Sequence, residues 1–354
     1  MADPTGSTTS TAPTSHDDAP VILRAQNLTK HYPIKGGVLR RTVGHVRALE
    51  DVSFDLRAGE TLGVVGESGC GKSTLGRMLM RLEEPTGGRL EFDGVDLYSL
   101  GRREMRRKRR DIQIVFQDPY TSLNPRKTVA DLIGEPFDVH PDAVPRAGRR
   151  RRVQELMELV GLSPEHINRY PHQFSGGQRQ RIGIARGIAL NPKILVCDEP
   201  VSALDVSVQA QVINVMERLQ RELGLAYVFI AHDLSVVRHI ADRVAVMYLG
   251  RIVELGTEDE IYERPTHPYT RALLSAVPVP DPLARGTRQE IKLQGDVPSP
   301  ANPPSGCRFH TRCWLARDVC STDEPQLVER NDGRGEHRSA CHFTEESVSG
   351  RTTP

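Results

Sequence analysis

The chain has 354 residues, 38% of them hydrophobic, enough for one large domain with an appendage or for two domains. Its 47 Lys and Arg nearly balance 46 Asp and Glu; the net charge of +1 argues against a surface built throughout to hold nucleic acid. No run approaches the ~18 consecutive apolar residues of a membrane span, and six cysteines are too sparse for a disulfide scaffold, so reduced thiols in a cytosolic protein are the default.

Residues 1–20 are rich in Thr, Ser and Pro, lack a basic-then-apolar leader pattern, and are expected to form a disordered tail. From Val21, stretches rich in β-branched residues predict strands at Val21–Leu28, Ala48–Leu56, Thr61–Val65, Ile112–Phe116, Ile194–Cys197, Ala226–Ala231, Arg243–Tyr248 and Arg251–Leu255. Helical patterns fall between them at Lys72–Leu82, Arg151–Val160, Gln178–Leu190, Val206–Leu223 and Leu234–Ile240. This alternation predicts an α/β fold with a mainly parallel sheet covered on both faces. Apolar–polar alternation in Val52-Ser53-Phe54-Asp55-Leu56 predicts an added N-terminal antiparallel sheet. After Val277, prolines at 278, 280, 282, 298, 300, 303 and 304 mark an extended connector. Four cysteines follow, at 307, 313, 320 and 341, in what reads as a small, separate module.

Gly66-Glu67-Ser68-Gly69-Cys70-Gly71-Lys72-Ser73 fits the pattern G-x-x-x-x-G-K-[ST], with an apolar strand before it and a helical pattern after it. Glycines there let the backbone N–H groups and the helix start wrap a phosphate. Lys72 is placed to reach the β- and γ-phosphates, Ser73 to bind Mg²⁺, and Thr74 continues the loop into the helix. Outside this setting, the same residues would read as a glycine-rich turn before a core helix. Ile194-Leu195-Val196-Cys197-Asp198-Glu199 is a buried-strand pattern delivering two carboxylates at its C-terminal end, where open α/β sheets bind ligands. Asp198 suits Mg²⁺, and Glu199 suits a general base acting on water. Alone, such a strand end is often merely solvated; beside a P-loop it is far more specific.

Phe174-Ser175-Gly176-Gly177-Gln178 precedes a helix, a second anion-binding helix start. His232 and Gln117 each follow a predicted strand at the sheet edge that carries the phosphate loop, and Tyr32 in Lys30-His31-Tyr32-Pro33 can stack on a base. Singly, His232 would be a core histidine and Tyr32 a strand-end aromatic. Together and in this order, residues 21–265 resemble the ATP-binding subunit of ABC transporters, with a helical subdomain over about 118–190. The resemblance implies a signature loop at Ser175, Gly176, Gly177 and Gln178, facing the ATP of a partner subunit, with Phe174 where Leu is more usual. It further implies that Gln117 senses Mg²⁺ and the transmembrane partner, that His232 is the γ-phosphate switch, that Ser202-Ala203-Leu204-Asp205 crosses the dimer interface, and that Tyr32 stacks on adenine. With this set complete, ATP hydrolysis is expected.

Gln117-Asp118-Pro119-Tyr120-Thr121-Ser122-Leu123-Asn124-Pro125-Arg126, His267-Pro268-Tyr269-Thr270-Arg271-Ala272-Leu273-Leu274 and Pro298–Cys307 are similar to the oligopeptide/dipeptide importer branch. The lengthened stretch Lys35–Arg47 is similar to the second of two ATPases in such systems. The resemblance implies a related, non-identical ATPase partner, two transmembrane permease subunits whose cytoplasmic helices rest near Gln117–Arg126, an extracytoplasmic peptide-binding protein, and a peripheral position on the cytoplasmic membrane face. The alternative is a soluble ABC ATPase acting on ribosomes or nucleic acid; the single P-loop and the lack of a coiled-coil insertion weigh against it.

The cysteine spacing matches neither a C-x₂-C zinc ribbon nor a ferredoxin run. Resemblance to the importer extension implies a [4Fe–4S] cluster on Cys307, Cys313, Cys320 and Cys341; zinc, with His310, His337 and His342 as spare ligands, and no metal stay open. Nothing in the sequence places this module in the ATP cycle. Cys70 sits at a helix start, which lowers a thiol pKa, so its modification is expected to block ATP; Cys197 reads as a buried strand residue. The clusters at Arg102–Arg110 and Arg149–Arg152 read as solvated helix faces or contacts with anionic headgroups rather than nucleic-acid sites, because base-stacking aromatics are missing beside them.

Overall fold

The computed structural model describes residues 19–37, 41–118, 122–277, 291–330 and 337–348. The expected N-terminal tail, the connector's Pro278, Pro280 and Pro282, and Pro119, Tyr120 and Thr121 of the segment after Gln117 fall largely or wholly outside these residues.

The first third of the chain forms β1 (Val21–Gly36), β2 (Arg41–Arg57), β3 (Thr61–Val65), α1 (Lys72–Leu79), β4 (Gly87–Phe92), β5 (Val95–Asp96), α2 (Arg102–Lys108) and β6 (Ile112–Val115). A helical region follows, with α3 (Val129–Val139), α4 (Arg149–Leu159) and α5 (Gly176–Gly187). Next come β7 (Ile194–Asp198), α6 (Val206–Leu223), β8 (Ala226–Ile230), α7 (Leu234–Ile240), β9 (Arg243–Tyr248), β10 (Arg251–Thr257), α8 (Glu258–Glu263) and α9 (Pro268–Ser275). The C-terminal region adds α10 (Asp318–Thr322), β11 (Val328–Glu329), β12 (Arg338–Ser339) and α11 (Thr344–Val348).

The main sheet has the order β11-β12-β10-β9-β3-β8-β7-β6. Its five strands β9-β3-β8-β7-β6 are parallel, and β10 turns back antiparallel beside β9. The parallel strands read as continuous apolar runs because both faces are covered. On β8, Val228 and Ile230 enter the core shared with the N-terminal sheet, while Tyr227 and Phe229 enter the opposite core with the helical region. A second, antiparallel sheet of order β2-β1-β4-β5 covers the first of these cores.

The β1–β2 hairpin runs well beyond the expected strands, pairing as far as Gly36 with Arg41. The stretch Lys35–Arg47 therefore contributes Lys35, Gly36 and residues 41–47 to the two strands; its side chains are mostly exposed, so no apolar period marks it. β4 and β5 also escaped the sequence reading.

The cysteine-bearing segment does not stand apart. β12 pairs antiparallel with β10, Glu254 opposite Ser339 and Leu255 opposite Arg338, extending the main sheet. Phe309 is fully buried, with its ring 5.3 Å from both Tyr248 and Tyr269. Buried Glu254 ties three segments together, accepting from the Thr266 N–H (2.6 Å) and hydroxyl (2.7 Å), the His267 N–H (3.1 Å) and His337 Nε2 (2.8 Å). Burial acts to raise the pKa of that carboxyl, but the hydrogen bonds, led by His337, outweigh it and hold it below the usual range. Two-residue strands and a single buried aromatic leave no periodic signal, which is why the segment read as separate.

The arginine clusters have protein partners. Arg109 donates to the Arg81 carbonyl at 2.9 Å, Arg110 pairs with Asp142 at 2.6 Å, and Arg149 reaches Asp138 and the Phe137 carbonyl, each at 2.7 Å. Among the described residues no helix is long and apolar enough to cross a membrane.

Candidate active site

β3 delivers the glycine loop at the C-terminal edge of the parallel strands, and the turn is tight enough to require glycine at two places. Gly66 has φ 151°, and a Cβ there would sit 2.2 Å from the Met247 carbonyl oxygen; Gly71 has φ 108°, and its Cβ would sit 2.3 Å from the Ala48 carbonyl oxygen. Gly71 caps α1 without a side chain, leaving the first helical N–H groups free of side-chain acceptors, the arrangement that suits an anion. Lys72 is buried, with Nζ 2.7 Å from the Gly66 carbonyl and 3.1 Å from that of Glu67. Ser68 and Gly69 lie exposed at the crest of the loop.

The second strand meets the first at one hydrogen bond: Ser73 Oγ donates to Asp198 Oδ1 at 3.0 Å. Burial pushes the Asp198 carboxyl above the usual range, with the Ser73 hydrogen bond opposing and the Glu199 charge adding. Two oxygens so placed, one hydroxyl and one carboxylate beside a phosphate loop, are a donor set suited to Mg²⁺. Glu199 follows in a left-handed conformation (φ 47°) that turns its carboxylate off the strand. Gln117, just past β6, donates from Nε2 to Glu199 Oε2 at 2.7 Å, and His232, just past β8, brings Nδ1 within 3.7 Å of the same oxygen. The structure thus brings together Gly66–Thr74, Gln117, Asp198, Glu199 and His232.

Tyr32 stands near the start of α1. Its hydroxyl donates to the Glu83 carboxylate, Thr74 hydrogen-bonds to the same phenol, and Lys30 Nζ lies 4.9 Å from the ring centre. Burial raises the phenol pKa.

Ser175, Gly176, Gly177 and Gln178 begin α5. Ser175 Oγ accepts from the Gln178 N–H at 3.3 Å while Gln178 Oε1 accepts from the Ser175 N–H at 3.0 Å, a reciprocal capping box. Gly177 lies against α6, where a Cβ would come 2.2 Å from Val208 Cγ1. Asp205 caps α6, accepting from the Val208 N–H at 2.9 Å, and the Ser207 hydroxyl bond holds its carboxyl below the usual range. These residues therefore neighbour one another on the helical side. Phe174 is buried and packs edge-on against His166, so the larger side chain is absorbed by the core.

Cys70 departs from expectation. It is buried, and desolvation raises its thiol pKa against the pull of Lys72, so the helix start does not yield a reactive thiolate. Cys197 is fully buried, as expected.

The four C-terminal cysteines lie close enough that their charges bear on one another. Burial is the main cause that pushes the Cys307 thiol up to about 11 and that of Cys313 up to about 12. The Leu315 N–H donates to Cys313 Sγ and the Phe343 N–H to Cys341 Sγ, each at 3.4 Å. Yet among the described residues no group of three or more His, Cys, Asp or Glu side chains is arranged to hold a metal ion. The expected cluster finds gathered thiols here, not a formed ligand cage.

Two residues at the loop carried no role in the sequence reading. The Tyr269 hydroxyl accepts from the Glu67 N–H at 2.9 Å, and Arg312 forks onto the Glu67 carboxylate, Nη1 to Oε2 at 2.8 Å and Nη2 to Oε1 at 3.0 Å. Arg312 lies 245 positions from Glu67, and no local pattern announces such a pair.

Residues 49–202 match the family model described as ABC transporter, and residues 253–320 match that of the oligopeptide/dipeptide transporter C-terminal region. The chain is 54% identical over 323 residues to the oligopeptide transport ATP-binding protein AppF of Bacillus subtilis (strain 168), covering 91% of this chain and 97% of that protein. It is 52% identical to the di/tripeptide transport ATP-binding protein DppF of Pseudomonas aeruginosa (strain UCBPP-PA14), covering 92% and 98%. Among solved structures it resembles a dimeric post-hydrolysis state of the ATP-binding cassette MJ0796 bound to ADP and Pi, with a TM-score of 0.59 and 30% identity, covering 67% of this chain and 99% of that one.

Proposed function

The chain belongs to the oligopeptide/dipeptide branch of the ABC transporter ATPases, and we propose the roles by which its residues turn ATP hydrolysis into peptide import. As a member of that family it is an ATPase subunit that energises a peptide importer, working with a partner ATPase and transmembrane permeases.

One observation carries the assignment of roles: Ser73 with Asp198, and Gln117 with Glu199 and His232, converge beside one phosphate loop. Loop residues Gly66, Glu67, Ser68, Gly69, Cys70, Gly71, Lys72, Ser73 and Thr74 cradle the phosphates, chiefly through backbone N–H groups, and Lys72 contributes its charge to the β- and γ-phosphates. Ser73, Asp198 and Gln117 would hold Mg²⁺, which when bound neutralises charge on the phosphate oxygens. Glu199 takes a proton from the attacking water, held by Gln117 on one side and His232 on the other. A cavity of about 30 Å³ lined by Glu199, Ser202 and His232 has room for one water molecule. Tyr32 stacks on adenine from the β1 side.

Ser175, Gly176, Gly177, Gln178 and Asp205 face the partner's ATP, so that two ATP molecules bridge the subunits through charge-assisted hydrogen bonds, and hydrolysis releases them. The partner ATPase is a related, non-identical chain. The permeases' cytoplasmic helices rest in a groove of about 880 Å³ between α2, β6, α3 and α5, lined among others by Met105, Phe116, Val139 and Leu190. The subunit lies on the cytoplasmic membrane face, and an extracytoplasmic binding protein delivers the peptide. Cys307, Cys313, Cys320 and Cys341 would hold a [4Fe–4S] cluster, with zinc as the alternative; the closeness of the four thiols supports a shared group.

Reconstitution with the two permeases and the binding protein tests the reading. Peptide uptake should require ATP and vanish with Glu199→Gln. ATPase activity stimulated by RNA or DNA but not by permeases would overturn it.

A further inference from the structure

The phosphate loop is held partly from outside the nucleotide-binding residues, and two of those outside holds land on Glu67. Its N–H is taken by Tyr269 of α9, its carbonyl by Lys72, and both its carboxylate oxygens by Arg312 of the cysteine-bearing segment. Arg312 is itself nearly buried, with its guanidinium 6.0 Å from the Tyr248 ring centre. The segment around it is anchored close by. Phe309 is clasped between Tyr248, Tyr269 and His267, and buried Arg308 reaches the Leu249 carbonyl and the Glu50 carboxylate.

We propose that Arg312 is a positioning residue for the ATP site: its two-point grip on Glu67 fixes the phosphate loop and cancels a carboxylate charge that would otherwise repel the triphosphate. This rests on the reading of Gly66–Thr74 as the phosphate cradle. The physical argument has two parts. A carboxylate within a loop that binds an anion weakens that binding unless a cation neutralises it. A planar guanidinium meeting both carboxylate oxygens also fixes direction, which an ammonium cannot do. The cysteine-bearing segment is thereby part of the nucleotide site, though the sequence offers no link between them. Any change that shifts Cys313, the next residue, moves the grip.

The test is MgATP binding by the full chain, measured calorimetrically for wild type, Arg312→Ala, Arg312→Lys, Glu67→Gln and the double variant Arg312→Ala/Glu67→Gln. Arg312→Ala should raise Kd about tenfold, the scale of one uncompensated charge interaction. Arg312→Lys, which keeps the charge and much of the stem packing, should fall between it and wild type. Removing the orphaned charge in the double variant should return Kd to within about threefold of wild type. A role confined to packing predicts no such rescue, so a double variant as weak as Arg312→Ala overturns the proposal, as does Arg312→Ala binding like wild type. If Arg312→Ala does not fold, Arg312→Lys decides alone: Kd unchanged from wild type overturns the grip. Wild type failing to bind MgATP would overturn the cradle reading itself.

Discussion

Gln117 Nε2 lies 2.7 Å from Glu199 Oε2, a hydrogen bond joining residues 82 positions apart across the ends of β6 and β7. These strands are parallel neighbours, Val115 opposite Cys197, so the two side chains leave the sheet side by side. Glu199 therefore has one oxygen steadied while the other stays available for water.

Glu199→Gln should cut ATP turnover by about 10²–10⁴-fold, the usual contribution of a general base, while leaving MgATP binding within about twofold, since the amide fills the same space. Turnover assays and calorimetry on the same preparation check this. Turnover near wild type would remove Glu199 as base.

Asp198→Asn should abolish the Mg²⁺ dependence of tight ATP binding. The Ser73 hydroxyl can still donate to the amide oxygen, so the loop should keep its fold and melt within a few degrees of wild type. Titrating ATP with and without Mg²⁺ separates the two effects: a variant that still gains affinity from Mg²⁺ would show that the ion sits elsewhere.

Gly177→Ala places a methyl 2.2 Å from Val208 Cγ1, so α5 must shift from α6. A cost of about 1–3 kcal/mol is expected from overpacking, together with loss of ATP-dependent subunit pairing, because Ser175 and Gln178 ride on the same helix start. Thermal melts and sedentration in the presence of a hydrolysis-deficient partner would test it; unaltered pairing would mean that α5 does not meet the partner.

Cys70 should resist iodoacetamide in the folded chain, by about tenfold or more relative to an unfolded control at pH 8, because burial disfavours its thiolate. Mass spectrometry of tryptic fragments over time gives the rates. Fast labelling would restore the activated thiol expected from the helix start.

Acid stability should depend on His267. Burial lowers its pKa from 6.5 to about 4, with the Glu254 charge opposing and Arg330 adding to the fall. Between these values the unfolded chain holds a proton that the folded chain refuses. The stability present above pH 6.5 is therefore lost as pH falls towards 4, at up to about 1.4 kcal/mol per pH unit. Glu254, also depressed, adds loss of the same sign below the ordinary carboxylate range. His267→Asn keeps an acceptor for the Tyr269 N–H, now 3.1 Å from Nδ1, and should flatten denaturant-midpoint curves across that window. An unchanged slope would place the acid sensitivity elsewhere.

What the sequence made legible follows from range. Thr61–Val65, Val206–Leu223, Leu234–Ile240 and Arg243–Tyr248 were bounded as the structure has them, since continuous apolar runs and amphipathic periods are local. The phosphate loop and the Asp198–Glu199 strand end were legible for the same reason. Arg312 and Tyr269 were not, because their meaning lies in contacts with Glu67 more than two hundred positions away. Cys70 misled because the helix-start rule ignores how deeply the loop is packed. β4 was missed because Gly87-Gly88 opens it, and α3 because Pro136 lies within it.

The pairing of β12 with β10 also sets an order of events during synthesis. Glu254 and Leu255 are made long before Ser339 and Arg338, so the rim of the main sheet stays open while the intervening chain emerges. Over that interval β10 offers unpaired N–H and C=O groups to any neighbouring strand, including that of another nascent copy. The nucleotide-binding body is thus complete only after the ribosome has moved well past its motifs, and a chain interrupted between β10 and β12 would carry every ATP motif together with an adhesive rim.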